Sequence, residues 1–254
     1  MRFASLGSGS RGNALIVEAG TTRILLDCGF GLSDTSARLG RLGLTPEYLS
    51  AIVVTHEHDD HIGGVARLAR RHSIPVWLTH GTLTGFEALF AGIGNLHAID
   101  NYRSFAVGDL QVEPFPVPHD AREPAQYVFG DGSRRLGVLT DTGCSTPHIA
   151  AMLSGCDALV LECNHDPGML WASSYPQKLR ERIASRYGHL DNGAAADLLA
   201  CLDTSRLKHL VAAHLSQENN RPELARAALA GAINCDPGWV AVADQDNGLA
   251  WREI

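Results

Sequence analysis

The chain has 254 residues, a hydrophobic fraction of 45% and a mean hydropathy of -0.04, enough apolar material to bury a large core. A net charge of -7 argues against loose, chain-wide attraction to nucleic acid and leaves room only for a local basic track. No apolar run approaches the ~20 residues of a membrane helix, and residues 1–7 lack a secretory apolar segment. The expectation is a cytoplasmic chain folded as one domain over residues 1–254. Cys28, Cys144, Cys156, Cys163, Cys201 and Cys235 form no C-x-x-C pair and read as free thiols. Cys163 stands beside a candidate site residue.

Residues 2–6 predict a first strand. It runs into Gly7-Ser8-Gly9-Ser10-Arg11-Gly12-Asn13, either a plain hairpin loop or a turn whose free N–H groups hold an anion such as a substrate phosphate. Residues 14–18 and 22–26 form a hairpin that ends at Asp27. A helix over 33–43 takes Ser33 or Asp34 as its cap and turns Leu39 and Leu42 inward. The apolar run 51–54 is a buried strand. It leads into His56-Glu57-His58-Asp59-Asp60-His61, three imidazoles and three carboxylates in six positions. Side chains two apart on an extended segment share a side, so His56 and His58 can grip one metal ion. Asp60 and His61 point elsewhere, where the chain turns into a helix over 63–71, and suit a second ion. Such ligands fit zinc, and also iron or manganese.

Further on, 74–78 predicts a strand and 81–92 an outer-layer helix, with His72, His80 and His97 as surface or cap residues. Strand 112–117 ends at Pro118-His119-Asp120, and a lone histidine there is by itself more often structural. A hairpin over 126–129 and 135–139 ends in Thr140-Asp141-Thr142-Gly143. Helix 147–153 precedes strand 158–161 and Glu162-Cys163-Asn164-His165-Asp166. Beyond Pro176, Tyr175, Leu179, Ile183 and Tyr187 form an apolar stripe, and Lys178, Arg182 and Arg186 a basic one. The basic stripe is either a solvated surface or a set of phosphate contacts, and it leads into Gly188-His189. A helix over 194–202, capped by Asp191 or Asn192, precedes strand 210–213, which ends in His214-Leu215-Ser216-Gln217-Glu218-Asn219-Asn220. Helix 222–233 and strands 239–243 and 248–251 close the chain. Strand-rich halves with helices between them suit an α/β protein, a four-layer αββα sandwich.

Thr55-His56-Glu57-His58-Asp59-Asp60-His61 resembles the HxHxDH signature of the metallo-β-lactamase superfamily. The resemblance implies that fold and two divalent metal ions per chain, zinc or manganese with iron possible. His56, His58 and His119 would hold one ion, and Asp60, His61 and His214 the other. Asp141 would bridge them, and Asp27 would support the metal loop by hydrogen bonds. Three protein ligands per ion plus a bridge leave an open coordination position, as a catalytic site requires. Glu162, Gly188-His189 and His214-Leu215-Ser216 resemble the order of elements in tRNase Z, where a Glu–His pair serves the leaving group.

A closer resemblance, over essentially the whole chain, is to the YycJ (WalJ-like) branch. It rests on Leu6 to Ser10 with Gly12-Asn13, Thr55 to Ile62, Glu162 to Asp166, Tyr175-Pro176 and Gly188-His189-Leu190 with Asn192, and continues through His214 to Asn220. That branch implies a metal-dependent 5′-to-3′ DNA exonuclease linked to DNA repair. A metal-bridging hydroxide would attack phosphorus and His189 would protonate the leaving oxygen, with Asp60, His189 and Glu162 as the catalytic set. Candidate DNA contacts are Ser8, Ser10, Asn13, Asn164, His165, Lys178, Arg182 and Asn219; Asn164 and His165 are alternatively extra ligands. The chain departs from tRNase Z in lacking a long exosite arm, and from β-CASP nucleases in lacking an inserted domain. A small-ester or thioester hydrolase of glyoxalase II or lactonase type is the alternative enzyme, and a non-catalytic regulatory module the non-enzyme reading. Neither membrane contact nor any oligomeric state is implied.

Overall fold

Continuous apolar runs and short hairpins fold into two seven-stranded sheets, seen in a computed structural model that describes residues 1–254. In chain order the first half comprises β1 (Arg2–Gly7), β2 (Ala14–Ala19), β3 (Thr22–Leu26), α1 (Leu32–Arg41), β4 (Ala51–Val53), α2 (Asp59–Ile62), α3 (Val65–His72), β5 (Val76–Thr79), α4 (His80–Gly85), α5 (Glu87–Phe90) and β6 (Leu96–Ile99). Next come β7 (Phe105–Val107), β8 (Leu110–Pro116), β9 (Ala125–Gly130), β10 (Arg135–Leu139), α6 (Pro147–Leu153), β11 (Ala158–Glu162), α7 (Pro167–Ala172) and α8 (Gln177–Ile183). The chain closes with α9 (Asn192–Ala200), β12 (His209–Ala213), α10 (Pro222–Ile233), β13 (Ala241–Val242) and β14 (Leu249–Glu253). One sheet runs β14-β1-β2-β3-β4-β5-β6 and the other β13-β12-β11-β10-β9-β8-β7.

Each sheet is antiparallel where hairpins build it and parallel where helices cross over, β3 to β6 in one and β10 to β13 in the other. Phe3, Val17, Ile24, Val53, Tyr127, Phe129, Val138 and Val160 fill the space between the sheets. Two further cores lie outside, one under α1 and α3, the other under α6, α9 and α10. Helix, sheet, sheet, helix is the expected αββα sandwich. The carboxyl ends of the parallel strands therefore open on one rim, where ligand sites of α/β sheets lie.

Several local expectations shift. Helix α1 begins at Leu32 behind Gly31, which makes no side-chain cap, so neither Ser33 nor Asp34 caps it. Asp34 lies in the first turn and pairs with Arg38 (2.8 Å) instead. The helix expected over 63–71 runs instead from Val65 to His72, and a separate one-turn helix, Asp59–Ile62, precedes it across Gly63 and Gly64. A Cβ on Gly64 would come 1.9 Å from the Phe30 carbonyl, so the chain needs glycine to pass there. Residues 81–92 also divide, at Phe86, whose φ of -137° leaves the helical region. Strand β6 carried no apolar alternation; its His97 stacks on Trp77 at 4.2 Å between ring centroids. The stripe beyond Pro176 stops being helical at Ile183. Residues 184–188 fold back so closely that a Cβ on Gly188 would meet the Arg182 carbonyl at 2.2 Å. Tyr187 thus lies off the helix, 61% exposed. Residues 237–239 make a 3-10 turn, which leaves β13 two residues long.

Candidate metal centre

Six strands deliver the site residues from their carboxyl ends: β3 ends before Asp27, β4 before Thr55-His56, β8 before His119, β10 before Asp141, β11 at Glu162 and β12 before His214. Asp27 (φ 59°), Asp141 (φ 53°) and His214 (φ 54°) adopt the left-handed conformation. Non-glycine residues rarely do so, and the sharp turn swings each side chain off its strand axis. The one-turn helix α2 is tied down from behind. Asn13 N–H donates to the Asp60 carbonyl (2.7 Å), Cys28 N–H to the His61 carbonyl (2.8 Å) and Gly64 N–H to the Cys28 carbonyl (2.7 Å). A Cβ on Gly29 would lie 1.9 Å from the Asp60 carbonyl.

Two groups of donors result. His56 Nε2 lies 3.0 Å, and His119 Nε2 3.2 Å, from His58 Nδ1. The far nitrogens of two of these rings are held: His56 Nδ1 by the Thr55 hydroxyl (3.0 Å), and His119 Nδ1 by the Gly188 carbonyl (3.0 Å). In the second group Asp60 Oδ2 lies 3.5 Å from His61 Nε2 and 3.4 Å from His214 Nε2. Asp141 sits between the groups, Oδ2 at 3.0 Å from His61 Nε2 and Oδ1 at 3.9 Å from His119 Nε2. Asp27 accepts from Thr55 N–H, the Thr55 hydroxyl and His61 Nδ1–H, each at 2.8 Å. His61 Nε2 is thereby left to face Asp60 and Asp141. A carboxylate that orients a histidine in this way is the usual support of a ligating imidazole.

These residues fit divalent cations on chemical grounds. Asp141 Oδ2 and His214 Nε2 are buried yet make no hydrogen bond, although each has polar atoms within about 3.5 Å. A buried carboxylate oxygen and a buried imidazole nitrogen left without a hydrogen bond are groups that a cation would satisfy. Charge points the same way. Burial alone would lower His61 and His214, but Asp141 and its neighbouring carboxylates raise His61 well above the usual histidine value and His214 to about 10. His56 and His119, pressed chiefly by burial, are lowered instead. The carboxylates demand positive charge, which protons on His61 and His214 supply and which metal ions would supply by displacing them.

Glu162 is fully buried. Its Oε2 accepts from Thr142 N–H (3.0 Å) and Leu190 N–H (3.2 Å), and its Oε1 from His189 Nδ1 (2.8 Å) and His214 Nδ1 (3.3 Å). Burial would raise this carboxyl, but His189 and these hydrogen bonds hold it at about 2. His189 is 19% exposed and borders a cleft of about 400 Å³ whose walls include Ser10, His58, Asp60, Asn164, Tyr175, Arg182 and Ser216.

The other candidates divide by position. Ser10, Asn164 and Arg182 face the cleft. Ser8 and Asn13 are buried behind it. The Ser8 hydroxyl accepts from His214 N–H (2.8 Å), and Asn13 Nδ2 reaches Asp60 Oδ2 (3.2 Å) and His61 Nε2 (3.1 Å). His165 and Asn219 are buried away from the walls, and Lys178 is exposed outside them. Cys163 is buried and its thiol pushed upward by that burial. Three supporting residues had no sequence reading. Thr55 links Asp27 to His56. Glu57 accepts from Arg122 N–H (2.7 Å) and the Thr82 hydroxyl (3.1 Å), which fixes the loop after β8. Asp120 pairs with Arg182 at 2.5 Å and so ties α8 to the histidines. The positions of Thr55 and Glu57 inside the motif, and of Asp120 after His119, were the available signals.

Residues 22–214 match the family described as the beta-lactamase superfamily domain. The chain is 38% identical to the exodeoxyribonuclease YycJ of Bacillus anthracis, covering 90% of this chain and 88% of that protein. It is 33% identical to the exodeoxyribonuclease WalJ of Streptococcus pneumoniae, covering 90% and 86%. Among solved structures, the metallo-β-lactamase fold protein YhfI of Bacillus subtilis superposes with a TM-score of 0.76 at 17% identity, covering 99% of both chains. That likeness is one of fold.

Proposed function

The chain belongs to the metallo-β-lactamase superfamily as a metal-dependent hydrolase, and we propose that it is a two-metal phosphodiesterase, a DNA exonuclease acting from the 5′ end in DNA repair. The observation that carries the reading is the Glu162–His189 pair, set at the cleft beside both donor groups with the His189 ring reaching solvent. A thioester expels a thiolate, which departs with little help. A phosphodiester expels an alkoxide, for which a positioned general acid matters. The similarity, over nine-tenths of the chain, to two proteins named exodeoxyribonucleases supports DNA as the substrate.

In this reading His56, His58 and His119 would hold one ion and Asp60, His61 and His214 the other, with Asp141 lying between the two donor groups. Zinc or manganese suits this mixture of nitrogen and oxygen donors. Divalent ions at such a site acidify water and neutralise phosphoryl oxygens. The chain's own residues do the rest. Glu162 takes the Nδ1 proton of His189 in a hydrogen bond, which aims Nε2 at the cleft as the donor to the departing oxygen. Arg182, held by Asp120, and Asn164, whose amide donates to the His214 carbonyl (3.0 Å), line the path of the phosphate chain. Ser8, Asn13 and Asp27 keep His214, Asp60 and His61 in place.

A substrate panel tests this. Manganese-loaded protein should hydrolyse bis(p-nitrophenyl) phosphate and linear DNA and leave lactones and acyl thioesters nearly untouched. Faster turnover of thioesters or lactones than of any phosphodiester would make it a small-ester hydrolase.

A further inference from the structure

At the side opposite β6 and β7 the two sheets end in the unpaired strands β14 and β13. The gap between these edges widens into a cavity of about 420 Å³ whose walls include Lys208, His209, Arg226, Trp239 and Arg252. It lies far from the metal centre. His209 opens β12 and His214 follows its end, so five extended residues, about 16 Å, separate the two sites.

Strand pairing explains why cations collect there. Arg252 stands opposite Phe3, and Phe3 faces the space between the sheets, so Arg252 points into that space at its open end. His209 sits on the same face of β12 as Val211 and Ala213, and its Nε2–H crosses to the Glu253 carbonyl (2.8 Å). Neighbouring acids are engaged elsewhere: Glu253 with Arg2 (3.7 Å), Asp157 with Arg134 and Arg206, and Asp236 with Gly238 N–H (2.6 Å). Lys208, Arg226 and Arg252 are left without an ion pair in a chain of net charge -7. Arg226 Nε and Arg252 Nε are moreover buried and make no hydrogen bond. The terminal Nη nitrogens of both guanidinium groups are neither buried nor hydrogen-bonded, so they are the donors that an anion in the cavity would meet. The indole of Trp239, 41% exposed, forms an adjoining wall.

We propose that this cavity is a second binding site, for a nucleoside phosphate. The phosphate sits between Arg226, Arg252 and Lys208, and the base lies against Trp239. The volume falls within the roughly 300–1,000 Å³ of small-molecule sites. The ligand is either a free mononucleotide or a nucleotide within a strand, and the chemistry is the same for both. The proposal rests on the cavity alone and stands whatever the metal centre hydrolyses.

The full chain, with its metal ions in place, is titrated with deoxyadenosine monophosphate by calorimetry and by tryptophan fluorescence, and the Arg226→Met and Trp239→Phe variants tell this site from the metal centre. The expected result is saturable binding with a Kd below about 1 mM. Arg226→Met should weaken it at least tenfold, Trp239→Phe should remove the fluorescence change, and deoxyadenosine without phosphate should bind at least tenfold more weakly. Lys208 is exposed, so Lys208→Met provides a second variant should Arg226→Met melt early. A ten-residue oligonucleotide without terminal phosphates separates the sources. Binding as tight as the mononucleotide's makes the ligand a strand; weaker binding makes it the free nucleotide. No saturable binding of either probe, or an affinity unchanged in Arg226→Met and Lys208→Met, overturns the proposal.

Discussion

Replacing His189 by alanine isolates the proposed proton transfer from metal binding. The imidazole Nδ1 lies 2.8 Å from Glu162 Oε1, which leaves Nε2 as the one ring nitrogen free to meet a leaving oxygen. A well-placed general acid contributes ~10²–10⁴-fold, or about 3–5 kcal/mol of barrier. The same loss should fall on kcat for ordinary DNA. A p-nitrophenyl diester, whose leaving group departs unprotonated, should lose less than about tenfold. Metal content should stay at the wild-type value, because the donor groups around His58 and Asp60 are complete without His189. The assay pairs single-turnover cleavage of DNA and of the nitrophenyl ester with metal analysis of the same preparation. An unchanged rate on DNA refutes the acid role. Loss of one metal ion would instead make His189 a ligand.

Asp60→Ala and His61→Ala should each abolish turnover and remove one of two bound ions, as read by metal analysis; two retained ions would contradict the assignment. Asp27→Asn replaces a carboxylate that receives three hydrogen bonds at 2.8 Å, and should weaken metal affinity ~10–100-fold in a chelator competition while folding persists. Stability should respond to acid through Asp157. Burial would raise this carboxyl, but Arg135 N–H, Arg206 and Arg134 hold it below the usual aspartate value. Its contribution is complete above the unfolded value of about 3.9 and is lost as pH falls through the lower folded value. The Tm gap between wild type and Asp157→Asn should therefore be widest near neutral pH and narrow as pH falls below the unfolded value of about 3.9. A gap that stays constant from pH 7 to pH 3 would contradict it.

Legibility followed how local the determining interactions are. Strands β2, β3, β9 and β10 and helices α6 and α10 were readable because apolar runs and turn residues mark them within a few positions. The crowding of His56 to His61 was readable for the same reason. His119, Asp141, Glu162 and His214 each looked ordinary alone, since strand order, not sequence spacing, brings their β-strand ends to one rim. Only the family resemblance grouped them in advance. What remained hidden was long-range or conformational. The left-handed turns at Asp27, Asp141 and His214 have no compositional marker, and the need for glycine at position 64 is imposed by the Phe30 carbonyl some 30 positions away. The role of Ser8 and Asn13 is likewise fixed by contacts with His214 and Asp60 that no local pattern encodes. The stripe of Lys178, Arg182 and Arg186 suggested one basic face, yet only Arg182 borders the cleft: Lys178 is exposed outside it on the same helix, and Arg186 lies in the fold-back after Ile183.

The measurement that bears most directly on the central claim is cleavage of linear double-stranded DNA labelled at one end or the other. Substrates with 5′-phosphate and 5′-hydroxyl, each with added Mn²⁺ or Zn²⁺, would be run beside Asp60→Ala. The expected result is metal-dependent release of 5′-labelled nucleotides ahead of 3′-labelled ones, absent in the variant. Intact DNA, from protein shown to carry its metal ions, would contradict it.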